Sequence, residues 1–520
     1  MFSLLTEQWL PVKYRDGSVG KIAPWQMVEP EILDLAYPRP DFQGAAYQFL
    51  IGLLQTAFSP EGEEEWEETL NGVQGEVLQE ALSKLAPAMQ FGEEKPAFMQ
   101  DFSELDGDLV PISGLLIDAP GGNTLKLNKD HFVKRGVVSA MCPHCAAMAL
   151  FTLQTNAPSG GQGHRTGMRG GGPMTTLVMP LSDDKSLWCK LWLNVLSQED
   201  MSIGTCDKQV FPWLAETRVS DKTGKPVTPE SANKLQAYWG MPRRIGLDFG
   251  SVREGQCDLC GEQSDVLFTH YRTKNYGVQY DGWLHPLTPY RKALKDEQAP
   301  MLSVKGQPGG LAYKDWLGLI LRGQNNGNEQ YPAKIVQVNA ERDHSALGVK
   351  MGLWCFAFDM DNMKARCWYE HRIPISALSS EDAAALDYDL SVAVALAAET
   401  LPILRSALRD AWFESPKYAR GDFSAIDRAY WQETEIYFSQ LLHSLLSKEN
   451  SVAALVTWIS SLHRYVLAVY DLRIFSHPDN PNNLEREVTA RKRLTANFYK
   501  LKSYKTLKEI TKDREEVASV

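Results

Sequence analysis

Four cysteines in this sequence have the spacing of metal ligands. They form two pairs, Cys142 with Cys145 in CPHC and Cys257 with Cys260 in CDLCG. Each C-x-x-C pair places two thiolates on one tight turn, and two pairs complete the tetrahedral shell that zinc prefers. Because protein would fill all four positions, the pattern predicts a structural Zn²⁺ site rather than a catalytic one, which keeps a position for water.

The cysteines also suit two other kinds of site. Four thiolates can hold an iron–sulfur cluster, and a single C-x-x-C at a helix start is typical of thioredoxin-like redox proteins. The two pairs are separated by 111 residues, which favours a metal that ties distant segments together. His144 lies between the first two cysteines and is interpreted as a bystander.

A glycine-rich segment follows the first cysteine pair, with seven glycines among residues 157–173. It has neither the P-loop pattern nor the dinucleotide-binding pattern. Glycine lets a backbone approach a groove closely, and Arg165 and Arg169 have the charge to meet phosphates. The composition fits a nucleic-acid contact or an ordinary surface loop.

A second candidate lies in FDMDNMKARCWYEH, residues 358–371. Asp359 and Asp361 alternate along a predicted strand, so they share a face and suit a metal-dependent nuclease. Two carboxylates alone are weak support, and a solvated turn is the simpler interpretation. We find no Ser/His/Asp, H-E-x-x-H or nucleotide motif, so the sequence contains no convincing active site.

Two regions of different character must position these residues. Residues 1–378 mix a β-hairpin around Asp16, two helices at 45–58 and 77–89, and later short aromatic-rich strands. Strands and helices show no clear alternation, so this region fits an α/β or an α+β class, and the class predicted for the chain is α+β.

Residues 379–520 contain four long helical segments. They run over residues 386–413, 422–448, 451–475 and 484–510. Short polar linkers join them, and short connections make neighbouring helices antiparallel. The pattern predicts an up-down four-helix bundle as a separate C-terminal domain.

The 520 residues are 44% hydrophobic and 23% charged, which is typical of globular domains, and the net charge is −11. Residues 1–110 carry 20 acidic and 6 basic side chains, and the rest carry 45 and 48. Residues 490–508 contain seven basic side chains and no acidic one, so an acidic protein can still present a basic surface. The sequence contains neither a run of roughly 20 apolar residues nor a secretory signal, which favours a cytoplasmic protein.

Several strings, taken together and in order, resemble one family. They are LLTEQWLPV near the start, the two cysteine pairs, NAPSGGQGHRTGMRGG, GWLHPLTPY at residues 282–290, and FDMDNMKARCWYEH. This set is similar to the CasA family, the large subunit of the type I-E CRISPR surveillance complex, Cascade. The similarity extends over nearly the whole chain. It implies a large mixed N-terminal domain of unusual fold with a zinc site, and a C-terminal four-helix bundle.

The resemblance also implies a function without catalysis. Such a subunit recognises the protospacer-adjacent motif in double-stranded DNA, promotes opening of the duplex and provides a docking platform for a helicase-nuclease. Guide RNA, held with the other Cascade subunits, supplies the sequence specificity. Two rival functions remain open: a nuclease that uses Asp359 and Asp361, and a scaffold that binds only proteins.

Matching this sequence to the family assigns DNA contacts to several elements. The residues are Ser159, Gly160, Gly161 and Gln162 for a glycine loop, Lys274 or its neighbour Asn275 for a lysine finger, and Asn362 with Met363 for a wedge. A further loop around Phe132 and Lys134 resembles a segment that contacts nucleic acid. Gln162 departs from relatives that have more glycine in the loop, which puts the motif preference in doubt.

Overall fold

The fold is that of a computed structural model. It describes residues 2–121, 125–126, 136–158, 160–161, 163–221, 224–307, 310–325, 327–361, 363–375, 380–419, 421–447, 450–475 and 483–518. The chain divides into two compact units. Unit 1 comprises Met1–Pro308 and Gln324–Ile375, and unit 2 comprises Gly309–Gly323 and Ser376–Val520.

The described strands are short, apart from one long hairpin. They are β1 Phe2–Ser3, β2 Leu10–Tyr14, β3 Val19–Ile22, β4 Ile32–Leu35, β5 Gln90–Phe91, β6 Asp108–Pro111, β7 Thr175–Pro180, β8 Arg244–Leu247, β9 Arg253–Gln256, β10 Gln263–Leu267, β11 His270–Lys274, β12 Tyr290–Ala293, β13 Leu302–Ser303, β14 Gly323–Asn325, β15 Asn328–Tyr331, β16 Met351–Asp361 and β17 Lys364–Ile375.

The described helices fall into a mixed group and a long C-terminal group. They are α1 Pro40–Ala57, α2 Glu63–Leu70, α3 Gly75–Ser83, α4 Pro143–Asn156, α5 Leu187–Trp192, α6 Tyr313–Ile320, α7 Lys334–Asn339, α8 Ser380–Trp412, α9 Ser424–Leu446, α10 Ser451–Phe475, α11 Leu484–Phe498 and α12 Lys502–Ala518. The molecule is therefore α+β with a C-terminal helical region, as the composition of the two regions predicts.

Helix α1 forms the centre of unit 1. All of its residues except Pro40 and Gln43 are buried, which is the pattern of a core helix rather than an amphipathic surface helix. Phe49 meets the rings of Trp9 and Phe151 edge-to-face, with ring centroids 5.5 Å away in both cases. This aromatic packing draws segments that are distant in the sequence onto one helix.

Small antiparallel sheets surround this core. The orders are β3-β2-β4, β6-β11-β8, β17-β16-β7 and β13-β12-β15-β14, with β1 paired to β5 and β9 paired to β10. The predicted N-terminal hairpin is confirmed, since β2 and β3 pair around the turn at Asp16. Gly44 of α1 has no room for a Cβ, which would lie 2.7 Å from the ring of Phe356, so α1 packs closely against β16.

Unit 2 is helical in its described residues. Helix α8 contacts α6, α10, α11 and α12, and α9 packs beside α10. Helix α6 belongs to this unit, although the sequence analysis places residues 309–323 in the N-terminal domain. The reason is aromatic packing: Tyr313 stacks on Phe438 with ring centroids 4.6 Å apart, and its hydroxyl lies 2.9 Å from Oγ1 of Thr434.

The last predicted helix, residues 484–510, is two helices. Helix α11 ends at Phe498, and α12 begins at Lys502. Phe498 is buried at the break and meets the rings of Tyr499 and Tyr504 at centroid distances of 5.8 and 5.7 Å. No glycine or proline marks this break in the sequence, which is why the apolar stripe predicts one continuous helix.

Two helical stretches, Tyr388–Trp412 and Ser451–Phe475, are long and apolar enough to span a membrane by length and composition. Core helices of globular proteins meet the same criteria. In the second stretch, Leu455, Leu462 and Val466 are buried in unit 2. That burial is typical of a helix packed against other helices.

We expect Phe49→Ala to lower the free energy of unfolding by about 3–5 kcal/mol, because it leaves a cavity in the aromatic core. Denaturant unfolding of the full chain followed by tryptophan fluorescence would measure this. Val19→Ala is the matched control, since Val19 is 67% exposed. Equal stability of the two variants would contradict this account of the core.

Candidate metal centre and nucleic-acid interface

Two distant segments meet at the cysteine cluster. Cys142 is the N-cap of α4 and Cys145 lies in its first turn, while Cys257 and Cys260 lie between β9 and β10. The four Sγ atoms all lie within 4.8 Å of one another, and those of Cys142 and Cys260 are 3.7 Å apart. A tetrahedral shell with Zn–S bonds of roughly 2.3 Å has edges of about 3.8 Å. The cluster therefore has the dimensions needed to hold a metal ion.

Backbone hydrogen bonds hold the two segments in register. Oδ2 of Asp258 accepts from the N–H groups of Ser139 and Ala140 at 2.7 and 2.9 Å. Gly261 has φ +76°, and its N–H donates to the carbonyl of Cys257 at 2.9 Å. Only glycine adopts this left-handed conformation at low cost, which explains the glycine after the second cysteine pair.

Hydrogen bonds among the thiols also shift their pKa values, in different directions for different cysteines. Bonding with Cys142 lowers the pKa of Cys257 and raises the pKa of Cys145. The backbone N–H of Cys142 donates to Sγ of Cys257 at 3.3 Å, and that of Cys145 donates to Sγ of Cys142 at 3.4 Å. Such donors stabilise a thiolate, which is the form that binds metal. Burial raises the pKa of nearby Tyr37, and the charges of Cys145 and Cys142 raise it further.

The side chain of His144 contacts residues outside the cluster of four cysteines. Its Nδ1 lies 3.2 Å from Nζ of Lys21, which also pairs with Glu262. Its ring meets Phe2 edge-to-face at a centroid distance of 5.2 Å. Burial lowers the pKa of His144, and Lys21 lowers it further. These contacts agree with the interpretation of His144 as a bystander.

The described part of the predicted glycine loop consists of Gly160 and Gly161; Ser159 and Gln162 lie outside the described residues. Gly161 has φ +90° and open space on the side where a Cβ would stand. A Cβ on Gly163 would lie 2.7 Å from Cβ of Asn275. The glycines therefore combine an open backbone with close packing against the segment after β11.

The structure brings the predicted loop and the predicted finger together. Lys274 ends β11 and Asn275 follows it, both exposed beside a cleft of about 540 Å³ that His164 also lines. Nζ of Lys274 lies 2.6 Å from Oδ1 of Asp106, and this hydrogen bond lowers the pKa of Asp106. Burial lowers the pKa of His164, and Arg243 lowers it further.

Tyr276 is a cleft residue that the sequence analysis does not identify. It has φ +63°, which is uncommon for an aromatic residue, and its side chain is partly exposed. Its N–H donates to the carbonyl of Gly163 at 2.7 Å, and its carbonyl accepts from the N–H of Ser220 at 3.2 Å. Strained backbone is often found at functional sites, but nothing in the sequence signals a positive φ at this position.

The suggestion that Arg169 meets phosphates is wrong. Its guanidinium is buried and donates to Thr175 at 2.9 Å, Thr288 at 3.0 Å and Gln48 at 2.8 Å. Burial lowers the pKa of Arg169 to about 10. The sequence does not show that Arg169 is buried, because its three partners lie far apart in the chain and no periodic pattern links them to it.

Arg165 is also engaged within the fold. Nε donates to Oγ of Ser220, and Nη2 donates to the carbonyl of the same residue, both at 2.6 Å. The hydroxyl of Ser220 donates in turn to the carbonyl of Gly277 at 2.5 Å. Arg165 therefore fastens the chain after the glycine loop to a neighbouring segment.

The predicted wedge lies at the tip of the β16–β17 hairpin. Met363 is 49% exposed in the turn after Asp361, while Asn362 lies outside the described residues. Phe132 and Lys134, assigned to another nucleic-acid contact, also lie outside them. The hairpin carries Met363 away from the sheet, as the sequence predicts for a turn between two strands.

The alternative nuclease site is not supported by the geometry. Asp359 is buried and forms a two-pronged ion pair with Arg366, at 2.7 and 3.2 Å. A carboxylate occupied by a guanidinium is poorly placed to bind a catalytic metal. In the part of the chain that the structure describes, the residues grouped as metal ligands are the four cysteines.

The basic residues near the C-terminus are mostly exposed. Six of the seven in residues 490–508 are exposed, and the seventh, Arg491, pairs with Asp471 at 2.6 Å. The exposed six are Lys492, Arg493, Lys500, Lys502, Lys505 and Lys508. They present positive charge on both sides of the break between α11 and α12.

Proteins with this architecture, a mixed unit followed by a helical one, are found among CRISPR-associated proteins. The chain is similar to Thermus thermophilus CasA (Cse1), with a TM-score of 0.68, 16% identity, and 95% of this chain and 99% of the other covered. Thermobifida fusca Cse1 gives a TM-score of 0.70 and 17% identity, with 96% and 97% covered. The chain is also similar to a chain of a structure described as a CRISPR RNA-guided surveillance complex. The TM-score is 0.66 and the sequence identity 15%, with 96% of this chain and 99% of the other covered.

At these identities the structural matches establish the fold. Membership rests on a family model described as CRISPR-associated protein Cse1, which matches residues 3–469. The chain belongs to the Cse1 family, also called CasA. The resemblance drawn from the sequence strings is therefore confirmed.

We expect Cys257→Ser to reduce bound metal from about one equivalent per chain to nearly none and to lower the melting temperature, because metal binding to such a site is coupled to folding. Elemental analysis and thermal unfolding measure the two effects. Cys189→Ser is the control, since Cys189 is buried outside the cluster. An unchanged melting temperature for Cys257→Ser would contradict a structural metal.

Proposed function

We propose that this chain is a non-catalytic subunit of an RNA-guided antiviral surveillance complex and recognises a protospacer-adjacent motif in double-stranded DNA. The observation that supports this most directly is the packing of the end of the glycine loop against the segment after Lys274. The N–H of Tyr276 donates a hydrogen bond to the carbonyl of Gly163 at 2.7 Å. Two elements assigned to DNA contact in the family thus form one surface here. Membership in the Cse1 family supports the proposal.

The surface suits the minor groove of DNA. The open glycine backbone at Gly161 offers its N–H without a side chain in the way, and Lys274 brings a positive charge to the neighbouring cleft, which His164 also lines. The minor groove presents a degenerate set of donors and acceptors, so a reader of this kind tolerates several motifs. Ser159, Gly160, Gln162 and Asn275 complete the proposed contact.

Opening of the duplex is assigned to the tip of the β16–β17 hairpin. Unstacking a base step costs a few kcal/mol, and an inserted side chain offsets part of this cost. Met363 is exposed at the tip, and Asn362 precedes it in the chain. We assign the wedge to this pair, and further nucleic-acid contact to Phe132 and Lys134.

The proposed partners are the guide RNA with the other Cascade subunits, target DNA, and a helicase-nuclease that docks after the duplex opens. A chain with the same fold occurs in an RNA-guided surveillance complex, which supports the first of these partners. The proposed location is the cytoplasm. The ion pair between Asp359 and Arg366 supports a subunit without nuclease activity of its own.

Two structural assignments accompany this function. We assign Zn²⁺ to the four cysteines, because their number, chemistry and spacing fit a closed thiolate shell. Bound there, Zn²⁺ supplies a cross-link and no open position for catalysis. We also assign α8–α12 to an up-down four-helix bundle, with α11 and α12 together serving as its fourth element.

We expect Gly161→Pro and Asn362→Ala to fail in different ways. Proline fixes φ near −65°, whereas Gly161 has φ +90°, so the loop cannot keep its shape and motif-dependent binding should be lost. Asn362→Ala should keep motif contact and slow the opening of the duplex. Binding and strand opening of the assembled complex on a paired target, and on one with a bubble beside the motif, separate these effects.

The bubble should rescue Asn362→Ala and leave Gly161→Pro unable to discriminate the motif. Met351→Leu, a conservative change far along the β16 strand from the tip, serves as a control for the hairpin. The wedge assignment fails if Asn362→Ala opens paired DNA at the normal rate. The loop assignment fails if Gly161→Pro retains the motif preference.

Charge reversal of Lys500 and Lys502 should weaken binding of nucleic acid or of an RNA-bound neighbour. Each phosphate contact contributes roughly −0.9 to the slope of log affinity against log salt, so the double variant should flatten this slope. Titrations of the assembled complex at several salt concentrations measure it. Reversal of Lys84 and Lys208, exposed lysines of unit 1, is the control of equal charge. Unchanged binding at low salt would show that the basic residues are only a solvated surface.

A further inference from the structure

Arg243 joins both ends of the glycine loop. Its Nη2 donates to the carbonyl of Pro158, at the residue before the loop. Its Nε donates to the carbonyl of Arg165, after the loop, at 2.8 Å. One rigid guanidinium therefore fixes the two points between which residues 159–164 extend.

The backbone of Arg243 is itself fixed. Its N–H donates to Oε1 of Gln154 at 2.9 Å, and its carbonyl accepts from Nε2 of the same side chain at 2.9 Å. Gln154 lies in the last turn of α4 and is buried. We call the guanidinium of Arg243 and the two carbonyls it binds the Arg243 clamp. Its position is thus fixed relative to α4, the helix that leads into the loop.

Within the described ranges, the contacts of the Arg243 guanidinium are to backbone carbonyls, and it pairs with no carboxylate. Burial lowers the pKa of Arg243 to about 10. A half-buried cation without a counter-ion is still costly to keep, and it persists where the surrounding structure requires it. Lysine would retain the charge and lose the planar fork that reaches two carbonyls at once.

Gly160 packs directly on this guanidinium. A Cβ on Gly160 would lie 2.6 Å from Nη1 of Arg243 and 2.6 Å from Cβ of His164, so a side chain there requires both neighbours to move. Gly161, one residue further along, has open space on the corresponding side. The two glycines therefore serve different purposes: Gly160 admits the clamp, and Gly161 provides the unusual backbone conformation.

We propose that Arg243 is the positioning residue of the glycine loop, holding its two ends at the separation needed for the backbone to enter a DNA groove. This inference rests on the proposed function, because it deepens the role of the same surface. Arg243 acts through the loop and need not touch DNA. Its loss should therefore reduce discrimination between motifs and leave charge-driven binding to any duplex intact.

A double-mutant cycle in the assembled complex tests the proposal. The variants are Arg243→Lys, Gly160→Ala and the two combined. Arg218→Lys is the control, because Arg218 is an exposed arginine whose guanidinium also donates to a backbone carbonyl, that of Ser231. The readout is the motif preference, which is the ratio of affinities for duplexes with and without the motif. Thermal unfolding and the incorporation of each variant into the complex are measured alongside.

Each single variant should lower the motif preference about tenfold, the size expected for loss of a hydrogen bond from a charged donor. Affinity for the duplex without the motif, and its salt dependence, should stay unchanged because Arg243→Lys keeps the charge. The combined variant should be less impaired than the sum of the two single changes, since lysine removes one of the two atoms that meet a Cβ at position 160, the other being Cβ of His164.

Three results would overturn the inference. One is an Arg243→Lys complex that assembles and retains the full motif preference. The second is strict additivity of the two changes, which would mean that Gly160 and Arg243 act separately. The third result applies if Arg243→Lys does not fold, in which case Gly160→Ala is the deciding variant. An unchanged motif preference in Gly160→Ala would then overturn the inference. A wild-type complex without any motif preference instead overturns the proposed function itself.

Discussion

The meeting of four cysteines at one point is the constraint on which the arrangement of the candidate site in unit 1 depends. It ties the first turn of α4 to the β9–β10 turn, segments that are 111 residues apart. Helix α4 has 14 residues and is therefore about 21 Å long at 1.5 Å per residue. Its other end holds Gln154 against Arg243 and leads into the glycine loop. One helix thus has the cluster of four cysteines at its start and the proposed reading surface at its end.

Local patterns in the sequence predict those parts of the molecule that local physics determines. The clustering of the four cysteines could be predicted from the C-x-x-C spacing, because each pair is a single turn. The β2–β3 hairpin and the core helix α1 were visible for the same reason, as a turn signal at Asp16 and as a long apolar run. The two-region organisation follows from the change to long amphipathic segments after residue 380.

Long-range contacts determine what the sequence could not reveal. Arg169 resembles a surface arginine until Gln48 and Thr288, both more than 100 residues away, surround it in the core. Tyr313 draws a short helix into unit 2 by stacking on Phe438, which is equally distant. The break at Phe498 and the positive φ of Tyr276 arise from packing as well. The Arg243 clamp belongs to this group, because it is defined by two carbonyls on a different segment.

Under the proposed function, in which the protein examines many DNA sites, the ion pair between Lys274 and Asp106 has a kinetic consequence. In the unbound state the lysine charge is locally balanced by an exposed carboxylate 2.6 Å away. A random phosphate must compete with that carboxylate, whereas a correctly seated groove offers the lysine several acceptors at once. In the proposed reader, this competition shortens the stay on wrong sequences, so search speed is gained from a residue that does not itself need to touch the motif.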